Sequence, residues 1–170
     1  MTSQLNQKAA LDAALVNAVV TATSQVLSTM AYTHVECKGV RAEQDYRPYG
    51  DISAVIGISG ESGEGMFALS FPMVLANVIV SRLIGVTPEK LSSEDRCDGV
   101  GELINMISGS AKSTLSQQSN TLYKLALPTV IQGKDHEISS RPRHCPYLVM
   151  QFETEDGKTF NLQVSFKNNH

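Results

Sequence analysis

The sequence predicts an α/β fold of the α+β kind, a single domain over residues 1–170 in which three main helices pack on a mostly antiparallel, hairpin-rich sheet. Three observations predict it. Apolar residues recur at three- and four-residue steps in two long segments and one shorter one, the period of a helix buried on one side. Between and after these segments lie short runs of β type, several joined by glycine-bearing turns. No stretch rich in Pro, Gly or Ser divides the chain, and no short-period repeat is present. The 170 residues are the length of about one domain, enough to bury roughly 70% of the unfolded surface in one core.

The first helix is expected from about Ser3 to Met30, with Leu11, Leu15, Ala18, Val19, Ala22, Val26 and Met30 on its apolar face. Strands follow over His34–Val40, Ile52–Ser59 and Gly65–Phe71, the last two closing a hairpin through Gly60-Glu61-Ser62-Gly63-Glu64. Pro72 suits the first position of a second helix, whose apolar face is Val74, Leu75, Val78, Ile79, Leu83 and Ile84 and whose stop is Gly85. Thr87-Pro88 marks a turn. Ser92 or Ser93 can cap a third helix that opens on Glu94 and Asp95 and runs to Gln117 or Gln118. A short apolar segment leads to Pro128 and a strand from Thr129 to about Ile131. The chain then forms a hairpin, Tyr147–Glu153 with Thr159–Phe166, around Asp156-Gly157, a pair that supplies positive φ angles to a tight turn.

Composition excludes several partners. Hydrophobic residues make up 42% and charged residues 18%, and the net charge of −3 leaves no basic field for a phosphate backbone or an anionic membrane. Cys37, Cys97 and Cys145 are widely spaced and odd in number, which argues against a disulfide framework and a zinc ribbon and favours a reducing cytoplasm. The apolar stretches are broken by polar residues short of the ~18–20 that span a bilayer, and Met1-Thr2-Ser3-Gln4 lacks the basic start of a signal peptide. A cytoplasmic protein without membrane insertion is expected.

Several chemical motifs fail on inspection. Gly109 to Thr114 resembles the end of a phosphate-binding loop, yet Ala111 and Met106 stand where that loop needs glycine. The glycines from Gly57 to Gly65 lie between two strands, with no helix start to hold phosphate. The local pairs His34/Cys37 and His144/Cys145 lack a repeated ligand spacing, so they read as structural rather than metal-binding. No Gly-x-Ser-x-Gly nucleophile elbow occurs.

The third helix is different because its polar side is ordered. Steps of three and four residues place Asp98, Glu102, Asn105, Gly109 and Lys112 on one face, and Val100, Ile104, Ile107, Ala111 and Leu115 on the other. Gly101 and Gly109 each cost about 0.5–1 kcal/mol relative to Ala inside a helix, so their missing side chains serve either the close approach of another surface or tight packing on the sheet.

A Glu and an Asn three apart is weak by itself: ten Glu and eight Asn in 170 residues give about 0.5 such pairs by chance. The longer pattern Asp98-x3-Glu102-x2-Asn105-x22-Pro128 has a chance expectation of roughly 0.002. It resembles the signature of the CheC/CheX family of chemotaxis phosphatases, as do the blocks Asp12–Ala18, Val55–Gly60, Gly101–Met106 and Pro128–Gly133, which come in the same order. CheC proteins typically carry a second Glu-x-x-Asn on the first helix. Here Ala14 and Ala10 precede Asn17 and Val40 replaces the matching Pro, so the one-site CheX type is the nearer resemblance.

The resemblance implies a phosphatase acting on a phosphorylated CheY-like response regulator. That partner would bring the aspartyl phosphate, Mg²⁺ and a lysine, so no cofactor or metal belongs to this chain. Asn105 would hold the attacking water through its amide, and Glu102 would pair with the partner's lysine. Fixing one water is worth ~2–4 kcal/mol, or about 10²–10³ in rate. Asp98 would orient the surroundings of Glu102 or cap the helix start. Lys112 reads as a solvated or docking charge, and Pro128 as the shaper of a strand start. The rival reading is an adaptor that binds a receiver domain or a flagellar switch component without hydrolysis. A homodimer through sheet edges is also implied, with the apolar C-terminal hairpin offering the edge.

Overall fold

A computed structural model describes residues 2–47, 49–138 and 145–168. The elements are α1 (Thr2–Met30), β1 (Val35–Glu43), β2 (Ile52–Gly60), β3 (Gly63–Phe71), α2 (Met73–Ile84), α3 (Ser93–Ser119), β4 (Tyr123–Leu125), β5 (Thr129–Gln132), β6 (Tyr147–Thr154) and β7 (Thr159–Asn168), with one 3₁₀ turn at Pro88–Lys90. The seven strands form one sheet in the order β1-β6-β7-β3-β2-β4, and β5 also pairs with β2. Every pairing is antiparallel. This is the expected three-helix α+β architecture.

One face of the sheet carries the core. Ile52, Ala54, Ile56 and Ile58 of β2, Phe67, Leu69 and Phe71 of β3, Met150 and Phe152 of β6, and Phe160, Leu162 and Val164 of β7 are buried there with the inner faces of the helices. Phe160 links the ring cluster, stacked on Phe152 at 5.2 Å and tilted against Phe71 at 4.8 Å. The other face is also covered, and there buried Ala68, Tyr147 and Val149 mix with polar side chains. Ser53 and Ser70 share a 2.7 Å hydrogen bond there, His136 Nε2 lies 2.8 Å from Ser53 Oγ, and Gln163 Nε2 donates to the Arg47 carbonyl at 2.7 Å.

Several expectations shift. Leu15, Ala18, Val19, Ala22 and Val26 of α1 are buried as the periodicity requires, but Met30 is exposed and Leu27 takes the last core position. Ala13–Met30 is, by length and composition alone, long and apolar enough to cross a membrane, contrary to the sequence reading; it contains no charged residue, and its apolar face packs in the core. The β2–β3 hairpin closes tighter than expected, because Gly60 pairs with Gly63 and only Glu61-Ser62 form the turn. Pro72 is the cap residue of α2 rather than its first helical residue, and Gly85 ends that helix at φ 72°. At the last hairpin Gly157 has the positive φ, 78°, and Asp156 does not.

The C-terminal hairpin does not offer a sheet edge. Strands β6 and β7 pair with each other and are flanked by β1 and β3, so both lie inside the sheet. The free edges belong to β1 on one side and to β4 and β5 on the other.

Candidate functional site on the third helix

Helix α3 begins at a complete capping box. The Asp95 N–H donates to Ser92 Oγ at 3.0 Å, and the Ser92 N–H donates to the Asp95 carboxylate at 3.3 Å. Glu94 and Asp95 also place negative charge at the positive helix end. The helix then buries Val100, Leu103, Ile104, Ile107, Ala111 and Leu115 against the core, which fixes its rotation.

That rotation turns Asp98, Glu102 and Asn105 outward. All three are exposed, and Gly109 and Lys112 follow half-buried on the same stripe. Among the described residues, none of the side chains of Asp98, Glu102, Asn105 and Lys112 makes a hydrogen bond or ion pair. The cap is built from Ser92 and Asp95, so Asp98 does not cap the helix start. Arg96 does not neutralise the stripe either: its Nε donates to Asn77 Oδ1 of α2 at 2.5 Å. Two carboxylates and an amide therefore face solvent on a rigid helix with their hydrogen-bonding capacity unspent.

The glycines of α3 divide between the two expected explanations. A Cβ on Gly101 would sit 3.3 Å from Val130 Cγ2 and 4.0 Å from Pro128 Cγ, so Gly101 lets β5 pack against the helix. A Cβ on Gly109 would meet nothing within 4 Å, so packing does not account for that glycine. Pro128 immediately precedes β5 and lies against the helix one turn before Asn105.

The other motifs stay apart from this face. Residues 109–114 lie inside α3 and form no phosphate loop, and residues 57–65 are two strands and their turn. His34 is exposed, and the Cys37 thiol donates to the Gly39 carbonyl at 3.6 Å. Among the described residues no three His, Cys, Asp or Glu side chains gather as they would to hold a metal ion; His144 lies outside those residues.

Two features were missed from sequence. One is β4, together with the break that separates it from β5. The other is Gly99, whose added Cβ would meet Val80 Cγ1 at 2.3 Å, so that α2 and α3 cross closely there. Alternation of Tyr123 and Leu125 was the available signal for β4, and the Gly99/Gly101 spacing was the signal for a crossing.

Residues 52–153 match the family described as "Chemotaxis phosphatase CheX". The chain belongs to the CheX family. Among solved structures, the CheX chemotaxis protein of Desulfovibrio desulfuricans is 31% identical with a TM-score of 0.77, over 90% of this chain and 99% of that one. CheX of Vibrio vulnificus is 29% identical with a TM-score of 0.78, over 90% and 99% of the two chains. The fold is shared at 20% identity, TM-score 0.66, with the CheX-CheY-BeF3-Mg²⁺ complex of Borrelia burgdorferi, over 89% of this chain and 97% of that one. No curated protein sequence matches the chain. Within this CheX-family protein, the third helix and its Glu102-Asn105 pair fall inside the matched region.

Proposed function

We propose that this CheX-family chain hydrolyses the aspartyl phosphate of a CheY-like response regulator, with Glu102 and Asn105 as its working side chains. The observation that carries the reading is the outward presentation of these two groups, side by side and without internal partners, on a capped and packed helix. Membership of a chemotaxis phosphatase family supports it, as does a fold neighbour solved together with CheY.

The chemistry follows from the side chains. The Asn105 carbonyl oxygen accepts from a water and aims it in line at phosphorus, while the amide NH₂ donates to a neighbouring oxygen. A P–O bond to water forms as the bond to the partner's aspartate breaks, and the products are inorganic phosphate and a free carboxylate. Glu102 pairs with a lysine on the partner and sets the docking register. Asp98 adds a second negative charge one turn earlier on that contact. Mg²⁺ is assigned to the partner, where it would offset charge on the phosphoryl oxygens. We further propose a cytoplasmic protein that forms a homodimer along its β1 edge.

Decay of a purified phospho-receiver tests the reading. The wild type should accelerate phosphate release, and Asn105→Ala should lose about 10²–10³ of that acceleration while still binding the receiver. Glu102→Ala should weaken both binding and rate. Full activity in Asn105→Ala would refute the assignment, and a wild type that leaves decay unchanged or slows it would show an adaptor.

A further inference from the structure

We infer that Leu127 is an apolar docking residue for the receiver domain, held out beside the Glu102-Asn105 pair by a bulge in the sheet edge. The inference rests on the proposed function, since it names a contact of that same partner.

Strands β4 and β5 run antiparallel along the same edge of β2, yet they are out of step. Leu125 pairs with Ile58, and four residues later Thr129 pairs with Val55 rather than with Ala54. One extra residue is therefore accommodated within 126–128, the defining feature of a β-bulge. Its effect on side-chain direction is specific. Tyr123 and Leu125 face the core, and unbroken alternation would send Leu127 inward after them. Beyond the bulge it is Val130 that packs on the core, and Leu127 is 88% exposed.

The loop that carries Leu127 is anchored on both sides. The Ala126 N–H donates to the Gly57 carbonyl at 2.9 Å, and Pro128 lies against α3 at Gly101. The proline also confines Leu127 to extended backbone conformations. A backbone so restrained loses little further freedom when the side chain it carries is covered, which lowers the entropic cost of a binding contact there. Gly101 and Asn105 are one helical turn apart, so the loop meets α3 one turn from the Asn105 amide. Leu127 thus adds an apolar contact beside the Glu102 carboxylate and the Asn105 amide, the groups proposed above to meet the receiver's lysine and its phosphoryl group.

Leu122 provides a matched control. It is 86% exposed at the other end of β4, where β4 pairs with Gly60, and α3 runs on from Asn105 for roughly 20 Å before the chain reaches it. The experiment measures binding of a CheY-type receiver activated with beryllofluoride, a phosphoryl mimic, together with steady-state phosphate release. Leu127→Ser should raise Kd and KM roughly tenfold, the order expected when one buried leucine side chain is lost from an interface, with kcat changed less than twofold. Leu127→Met should restore binding, and Leu122→Ser should match the wild type. Unchanged Kd in Leu127→Ser, or an equal loss in Leu122→Ser, would overturn the inference. In the same assay Asn105→Ala reports on the phosphatase reading separately, because it should lose rate and keep Kd. A wild type that binds without hydrolysis would remove that reading and leave the binding comparison decisive for Leu127, and a wild type that neither binds nor hydrolyses would remove both.

Discussion

Gly99, Gly101 and Gly109 occupy one helix and meet three different surroundings, so the same substitution should have three different outcomes. At Gly99 the new methyl would fall 2.3 Å from the β-branched Val80, which cannot swing aside cheaply in a packed crossing. Gly99→Ala should cost about 1–3 kcal/mol, measured as a lowered urea midpoint. At Gly109 the space is open, and replacing an interior glycine with the best helix former should stabilise the protein by about 0.5–1 kcal/mol. If the receiver approaches α3 closely at that point, Gly109→Ala will bind it more weakly despite its higher melting temperature. A Gly109→Ala variant no more stable than wild type would contradict the open environment. The sequence marks such glycines as unusual but cannot separate them, since the deciding neighbour, Val80 or nothing, comes from another element or from solvent. The pair Glu102 and Asn105 was legible because a period of 3.6 residues puts them on the face opposite Ile104 and Ile107; their lack of internal partners was not, because it depends on where Arg96 and Gln132 lie.

Among the elements, α3 was readable almost to its ends because its cap, acidic first turn and apolar period all agree, and Asp95, three residues after Ser92, completes the capping box that chooses Ser92 over Ser93, whose matching position holds Arg96. The edge strand was not readable in full. The one-residue slip and Pro128 interrupt the period of two that marks a strand, so Tyr123–Leu125 reads from the sequence only as part of a short apolar segment. The C-terminal hairpin was legible from Asp156-Gly157, but its turn works differently from the expectation. Gly157 alone takes positive φ, and Asp156 acts through its carboxylate, which accepts from Lys158 Nζ at 2.8 Å and from Thr154 Oγ1 at 2.5 Å. The Lys158 contact first, and the Thr154 hydroxyl second, hold the Asp156 carboxyl down at about 2 against an ordinary 3.8. A carboxyl whose folded value is depressed stabilises the fold above its unfolded value. The contribution of this turn should therefore be present at neutral pH and fade as pH falls from about 4 to about 2. A carboxyl NMR titration should place the Asp156 midpoint near 2, and Lys158→Met should raise it; a wild-type midpoint near 4 would contradict the contacts described.

For the whole molecule, the sheet's two edges set what each side can do. The β2 edge is taken up by β4 and β5 around the bulge, and α3 packs on that side through Gly101 and Val130, so it belongs to the site. The β1 edge is nine residues long and free. It carries the usual guards against indiscriminate pairing: a bulge at Lys38, where the register with β6 shifts, and charges at Glu36, Lys38 and Arg41. These guards also limit how a second copy could add. A two-fold centred between Gly39 and Val40 would set Glu36 against Glu43 and Lys38 against Arg41, like against like, so the copies must pair in an offset register. Pairing along this edge would extend the sheet and cover Val40, which is 46% exposed in the single chain. The apolar character that drew attention to β6 and β7 in the sequence marks interior strands instead, since strands flanked on both sides and packed beneath helices need those residues for the core. Light scattering should therefore give a mass about twice 18.4 kDa, and Val40→Lys, at an exposed position away from the core, should return it to 18.4 kDa with the fold intact, read as an unchanged far-UV circular dichroism spectrum. A wild-type mass of 18.4 kDa across the concentration range would reject the dimer, and a Val40→Lys protein that remains dimeric would move the interface off β1. Because α3 lies on the β2 side of the sheet, the monomeric variant should keep its rate per chain on phospho-receiver.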